Sequence, residues 1–136
     1  MPKKFTKYRK LRAKVIAIKG HQLEYGFIGL KAQASGKITQ QQVESMRVTI
    51  NRALARKGNL INRVNVFFPV SKKPVGVRMG GGKGANDTMV CPVGAGAILF
   101  ELANTDMELA KVALKKAMYK LHIPCKIVVR KFYNQS

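Results

Sequence analysis

The chain has 136 residues, the usual length of one domain, and 46% of them are hydrophobic, which is enough for a buried core. Its 26 lysines and arginines face only 6 aspartates and glutamates, so the formal net charge is +20. This composition excludes a disordered chain, and no apolar run approaches the ~20 residues that a membrane-spanning helix needs. A compact domain with this charge repels itself, so we expect a polyanionic partner: RNA or DNA first, an anionic membrane surface second.

The first 19 residues form a basic arm that contains no acid, with the aromatic residues Phe5 and Tyr8 between the cations. Such a segment usually binds nucleic acid or stays solvated. A transit peptide is the competing interpretation, but the arm lacks the serine-rich, amphipathic character of one and has no apolar signal-peptide stretch. Its basic residues are Lys3, Lys4, Lys7, Arg9, Lys10, Arg12, Lys14 and Lys19.

A strand and then a helix are predicted after the arm. The strand covers Leu23 to Ala34, where Gly26 and Gly29 indicate close backbone approach or a bulge. A capping box that begins at Thr39 marks the start of the helix, and we expect Gly58 to follow its end as the C′ residue. The apolar stripe of this helix consists of Val43, Met46, Ile50, Ala53 and Leu54.

Four cations of the first helix lie largely off that stripe. An exposed basic helix face can serve solubility alone, but in a chain this basic we favour phosphate contact. The four residues are Arg47, Arg52, Arg56 and Lys57.

Four strands are predicted in the middle of the chain. The first runs from Ile61 to Phe68 and ends at Pro69, and the second covers Pro74 to Met79. Thr88 to Val93 and Ala97 to Leu102 follow, with glycines between them.

The last third predicts a helix and a strand. A second capping box, Thr105 with Glu108, starts the helix, which is predicted to end at Ile123 and Pro124, before a strand from Cys125 to Tyr133. The order of elements predicts an α+β, two-layer domain with two helices packed on one side of a mixed or mostly antiparallel sheet. In this helix we expect Leu109, Val112, Ala113 and Ala117 to face the core, and Lys111, Lys115, Lys116 and Lys120 to lie mostly opposite.

A glycine-rich segment from Arg78 to Asp87 separates two of the predicted strands. Four glycines within five positions allow the backbone to approach a ligand, and Arg78 and Lys83 add charge. The segment is not a P-loop, because glycine follows Lys83 where serine or threonine is required. A hairpin tip without function explains the spacing equally well.

The residue types that carry catalysis or bind metals are sparse and scattered. Cys91 and Cys125 have no CxxC spacing, and His21 and His122 do not cluster with them, so we expect neither a disulfide nor a metal site. The few acids show no paired-carboxylate pattern. We therefore predict no cofactor, no small-molecule substrate and no enzymatic activity.

Several blocks of the sequence together resemble the universal ribosomal protein uL16 family, the bacterial-type L16 of the large subunit. They are residues 2–10, the Phe27–Ala32 block, the Gly36–Thr39 start of the first helix, and the Pro74–Gly80 turn that continues through Gly82-Lys83-Gly84. Their order and spacing cover nearly the whole chain. The family commonly has lysine where Gly81 stands, tryptophan in the strand after the first helix, and an aromatic near Thr88. These departures suggest a divergent, organellar lineage.

The resemblance implies an α+β fold with a hammerhead-like β motif, bound to large-subunit ribosomal RNA near the base of the central protuberance. It places the protein beside the A-site and the peptidyl-transferase region, with neighbouring large-subunit proteins. It also implies a loop close to tRNA, formed by Arg78, Met79, Gly80, Gly81, Gly82, Lys83 and Gly84.

We therefore expect a basic arm at residues 1–22 and a single RNA-binding domain at 23–136. The aromatic residues Phe132 and Tyr133 either stack on bases or pack at a strand end. An RNA-binding regulator or chaperone outside the ribosome is the alternative, and a basic enzyme acting on RNA is a third. We favour the mitochondrion, with bacterial cytoplasm and plastid left open. The predicted RNA-binding residues are Lys3, Lys4, Lys7, Arg9, Lys10, Arg12, Lys14, Arg47, Arg52, Arg56, Lys57, Lys72, Lys73 and Arg78.

Overall fold

The computed structural model describes residues 16–130, which contain seven strands and two helices. The predictions for the arm cations Lys3 to Lys14 and for Phe132 and Tyr133 fall outside these residues. The elements are β1 Ile28–Ala32, β2 Gly36–Thr39, α1 Gln40–Ala53, β3 Asn59–Asn62, β4 Phe68–Lys72, β5 Ala85–Val93, β6 Ile98–Ala103, α2 Met107–Met118 and β7 Cys125–Val129.

The strands form two antiparallel sheets, and the predicted α+β class is confirmed. The larger sheet has the order β3-β6-β1-β7, and the smaller has the order β2-β5-β4. The chain passes between the sheets repeatedly: from β1 to β2, through α1 from β2 to β3, from β3 to β4 and from β5 to β6. In the larger sheet, β6 and β1 are central and are buried along almost their whole length.

The two helices pack antiparallel to each other. At one end, the Gln42 side chain near the start of α1 lies 2.9 Å from the His122 ring, just beyond the end of α2. At the other end, Gly58 follows α1 and lies against Thr105, which precedes α2. The buried faces of both helices join Phe100 and the other apolar residues of the central strands in one core. Three of the buried residues of α2 are alanines, so most side chains on its buried face are small: Ala110, Ala113 and Ala117.

The capping box predicted at the start of α1 is confirmed, whereas the end predicted for this helix is not. Thr39 accepts a hydrogen bond from the Gln42 backbone N–H, and the Gln42 side chain accepts one from the Thr39 N–H. The prediction of Gly58 as the C′ residue was wrong, because Leu54 is the C-cap and Ala55 follows it in a left-handed conformation. Gly58 is instead required by its own positive φ and by its contact with Thr105.

Two of the middle β predictions were also wrong. The stretch from Ile61 to Phe68 is not one strand, because β3 ends at Asn62 and β4 begins at Phe68. Pro69 lies inside β4 rather than ending a strand, and it fits there because β4 is an edge strand of its sheet. Pro74 to Met79 forms turns and bends in the connection between β4 and β5, despite its alternating valines.

The second helix differs from its prediction at both ends. Asp106 is its N-cap and makes no side-chain capping bond, so the predicted capping box of Thr105 and Glu108 was wrong. The helix ends at Met118, five residues before Ile123. Its buried face is Ala110, Ala113, Leu114 and Ala117, while Val112, which was predicted to face the core, is 48% exposed.

Candidate nucleic-acid interface

The arginines of α1 converge on one open groove of about 740 Å³. Positions 47/48 and 51/52 repeat at an interval of four residues, so their side chains share one face of α1. Ala55 and Arg56 come after the end of α1 at Ala53 and reach the same groove from the turn that follows the helix. Arg52 and Arg56 are exposed and pair with no carboxylate among residues 16–130. The groove is lined by Arg47, Val48, Asn51, Arg52, Ala55 and Arg56.

Arg47 differs from these two because it already has an anionic partner. Its Nε donates a hydrogen bond to Glu44 Oε2 at 3.0 Å, and a second guanidinium nitrogen contacts the other carboxylate oxygen. The hydrogen bond from Arg47 lowers the pKa of Glu44, and the same contact raises the pKa of Arg47. Glu44 therefore offsets part of the positive potential at this end of the groove.

The position of Arg56 depends on an unusual backbone at the end of α1. Ala55 and Arg56 both have positive φ, 52° and 62°, although neither is glycine. The Arg56 N–H donates to the Asn51 carbonyl at 3.1 Å, and the Lys57 N–H donates to Leu54. Left-handed conformations cost energy for residues with a Cβ, so the surrounding structure must hold this turn in place. It carries Arg56 to the groove and leaves the neighbouring Lys57 exposed.

The glycine-rich loop joins β4 to β5 across residues 73–84 and projects from the edge of the smaller sheet. The Val77 N–H donates to the Pro74 carbonyl, and the positive φ of Gly76 gives this turn the form of a type II turn. Gly80, Gly81 and Gly82 also have positive φ, and a Cβ on any of them would meet nothing within 4 Å. These three glycines are therefore required by backbone conformation and leave the loop surface open.

The cations of the loop have different roles. Lys73 donates a hydrogen bond from Nζ to the Gly80 carbonyl at 2.6 Å, so it braces the loop. Lys72 and Arg78 are exposed, and Met79, which follows Arg78, is 97% exposed. None of these residues lines the α1 groove, so the structure places the predicted cations on at least two separate surfaces.

The basic arm enters the described structure beside the turn between β5 and β6. Ile16 forms a parallel bridge with Ala95, and the Ala17 N–H donates to the Ala95 carbonyl at 2.9 Å. The glycine-rich loop lies at the opposite end of β5. Since β5 has 9 residues, the two features are separated by roughly 25–30 Å along that strand.

Glu101 holds the segment that follows the arm, a role that sequence reasoning missed. Its side chain is fully buried, and its Oε2 accepts hydrogen bonds from the N–H groups of Tyr25 and Gly26, both at 2.7 Å. Its Oε1 accepts from Arg63 Nη1 at 2.8 Å and from the Glu24 N–H at 3.3 Å. The available signal was an acid inside the apolar run of β6, since a buried charge requires partners.

These contacts also determine the charge state of Glu101. Burial by itself raises the pKa of its carboxyl group, but the hydrogen bonds from Gly26, Tyr25, Arg63 and Glu24 together lower it below its ordinary value. Glu101 is therefore ionised and anchors the chain where it leaves the arm.

Other candidate chemistry is missing from the part of the chain that the structure describes. Cys91 and Cys125 are free and buried, and burial raises the pKa of both thiols, that of Cys125 to about 11. Within residues 16–130, no three His, Cys, Asp or Glu side chains come together as a metal site. No helix in this range is long and apolar enough to cross a membrane.

Comparison with known proteins assigns the chain to a family. The model of the family described as "Ribosomal protein L16p/L10e" matches residues 2–128. A protein of Bacteroides thetaiotaomicron named "Large ribosomal subunit protein uL16" is 41% identical over 131 residues, which cover 96% of this chain and 91% of that protein. A protein of Porphyromonas gingivalis with the same name is 40% identical over the same shares. The chain therefore belongs to the ribosomal protein L16p/L10e family, as a structural ribosomal protein and not an enzyme.

Proposed function

We propose that this protein is held in the large ribosomal subunit by ribosomal RNA bound at the α1 groove, the basic arm and the loop cations. The observation that carries the proposal is the convergence of Arg52 and Arg56 on one open surface where neither has a carboxylate partner within the described residues 16–130. Such cations bind phosphates, which position a protein on RNA, while RNA shape supplies most of the selectivity. The arm at residues 1–22 would extend this contact beyond the domain at 23–136.

The loop from Arg78 to Gly84 is the part that we propose approaches A-site tRNA, near the peptidyl-transferase region and the central protuberance. Its support in the structure is its exposure and the open space around Gly80, Gly81 and Gly82, which lets RNA come close to the backbone. Lys73 keeps the loop braced without using Arg78, which stays exposed.

The compartment follows from the ribosome to which the protein belongs. The relatives named above are bacterial, which is compatible with a ribosome of the bacterial cytoplasm. The missing tryptophan and the glycine at position 81 are the basis for the mitochondrial alternative. Whole-cell and organelle lysates are sedimented separately, and the protein is detected by mass spectrometry. The lysate in which it co-migrates with large subunits identifies the compartment.

A salt titration tests the RNA contact at α1. Each phosphate contact adds about 0.7–0.9 to the slope of log K against log salt concentration. We expect Arg52→Gln with Arg56→Gln to reduce this slope by roughly 1.5 for a large-subunit RNA fragment. Lys111→Gln is the matched control, because Lys111 lies on α2 within 3.9 Å of Glu108 and outside the groove.

Two results would count against the proposal. Equal slopes for the double variant and the wild type would mean that the α1 groove does not contact phosphates. Recovery of the wild-type protein only at the top of a low-salt sucrose gradient would favour an RNA-binding regulator outside the ribosome.

A further inference from the structure

A second groove, of about 710 Å³, lies between the end of α2 and strand β7. Its apolar part includes Met118, Leu121 and Ile127, which pack at the margin of the core and are only partly buried. The full lining is Lys115, Met118, Tyr119, Leu121, His122, Ile123, Pro124, Cys125, Lys126 and Ile127. The groove thus offers a partly apolar lining at the rim of the domain.

Tyr119 stands at this groove with most of its ring in solvent. It is the C-cap residue of α2 and is 87% exposed. Val112, Lys115 and Lys116 precede it by seven, four and three residues, so all four side chains share the outer face of the helix. An aromatic ring between cations on a solvent-facing surface is the arrangement on which single-stranded RNA bases stack.

The charged side chains of the described residues that line the groove are all lysines. Lys115 and Lys126 line it from the helix and from the strand, and both are exposed. Lys116 and Lys120 lie beside them and are exposed as well, and no lining residue is an acid. The occupant that complements this surface carries negative charge together with a flat apolar group, which a nucleotide does.

His122 adds a directed donor to the groove. Gln42 uses its side-chain oxygen to accept the Thr39 N–H, so its NH₂ group donates to His122 Nδ1 at 2.9 Å. The neutral ring then carries its proton on Nε2. An N–H at this position can donate to a base edge or to a phosphate oxygen.

This groove is distant from the α1 groove. Gln42 and His122 mark one end of the antiparallel helix pair, and Arg52 and Arg56 lie toward the other. Arg52 follows Gln42 by ten residues, so the Gln42 end of the α2–β7 groove lies about 15 Å from Arg52 along the axis of α1. One phosphate contact therefore cannot serve both.

We propose that the α2–β7 groove seats an unpaired RNA nucleotide, whose base stacks on Tyr119 while Lys115 and Lys126 contact the flanking phosphates. This inference rests on the proposed function, because it assumes that the protein binds RNA. A protein strand added to the open edge of β7 is the competing occupant. The lysines on both sides of the groove favour RNA over a strand of ordinary composition.

The test measures how the full-length protein binds two RNA probes that have the same number of phosphates. One probe is a hairpin with a single-stranded loop that contains 2-aminopurine, and the other is a fully paired duplex. We expect Tyr119→Ala to weaken hairpin binding about 5- to 100-fold, the range for losing one stacked base, and to leave duplex binding unchanged. Tyr119→Phe, which keeps the ring, should bind both probes as the wild type does and should quench 2-aminopurine equally.

The outcomes separate this inference from the proposed function. If Tyr119→Ala binds both probes normally while Arg52→Gln with Arg56→Gln weakens both, the groove proposal fails and the α1 interface stands. If the wild-type protein binds neither probe, both fail. Protection of Tyr119 from iodination in the free protein would mean that the chain itself covers the groove. Tyr119 could also be protected from iodination in assembled subunits while Tyr119→Ala leaves hairpin binding unchanged. That result would assign the groove to a protein strand.

Discussion

Replacement of Glu101 by glutamine tests how the domain holds the segment that follows its basic arm. Glutamine keeps the size of the side chain but removes the charge and turns one acceptor into an NH₂ donor. The N–H groups of Tyr25 and Gly26 face one carboxylate oxygen, and Arg63 and the Glu24 N–H face the other. In either orientation the new NH₂ group opposes two donors.

The expected loss of stability follows from this geometry. Removing one partner of a buried ion pair costs about 3–5 kcal/mol, because the remaining charge is left without compensation. The Arg63 side chain is 14% exposed and keeps Glu24 Oε1 at 3.8 Å, so water and this second carboxylate relieve part of the cost. We expect Glu101→Gln to lower the free energy of unfolding by ~3 kcal/mol, a large share of the ~5–15 kcal/mol typical of a domain.

Urea unfolding of the full chain, followed by far-UV circular dichroism, measures this loss. A double-mutant cycle with Arg63→Met isolates the pair, and we expect a coupling of at least ~1 kcal/mol. Glu108→Gln is the matched control, since Glu108 is 83% exposed and should change stability by less than ~0.5 kcal/mol. A loss for Glu101→Gln no larger than that of the control would refute the reasoning.

The pH dependence gives a second readout. The pKa of Glu101 is lowered on folding, so its contribution is fully present above its ordinary value of 4.5 and is lost as the pH falls through the folded-state pKa. The stability difference between the wild type and Glu101→Gln should therefore shrink below about pH 4.5. A difference that stays constant down to pH 3 would mean that the carboxylate charge is not what stabilises the segment.

Four further substitutions probe the fold and the interface. Gly26→Ala should lower the free energy of unfolding by ~3 kcal/mol, because its Cβ would lie 2.4 Å from the Leu102 carbonyl oxygen. Gly81→Ala has open space around it and should cost only the ~1–2 kcal/mol of its left-handed backbone in the same urea assay. Thr39→Ala should cost ~1 kcal/mol by thermal unfolding through loss of its capping bond, and no measurable loss would contradict this. Glu44→Gln should strengthen RNA binding and steepen its salt dependence, because Arg47 is released; weaker binding would show that the pair itself positions the arginine.

Some features of this protein depend on residues close together in the chain, and these could be predicted from the sequence. The capping box of Thr39 and Gln42 joins positions three apart, and here the local signal is confirmed, although the same spacing at Thr105 and Glu108 forms no capping box. The stripe of α1 repeats at helical spacing, and so do Arg47 and Arg52 beside it, so this part of the groove follows once the helix is given. Arg56 reaches the groove only through the left-handed turn after the helix, which the spacing does not predict. The net charge likewise indicated a polyanionic partner before any fold was known.

Other features were decided only by the tertiary structure. The alternating valines of Pro74 to Met79 favour a strand, but no neighbouring strand pairs with them, so the segment forms a loop. Val112 has the spacing of a core residue, yet the packing of α2 against α1 buries Leu114 instead. Glu101 binds groups 38 to 77 positions away, and Tyr119 and Lys126 meet in one groove from different elements. Sequence patterns report which residues are close along the chain, whereas contacts at such separations exist only after the sheets and helices have packed.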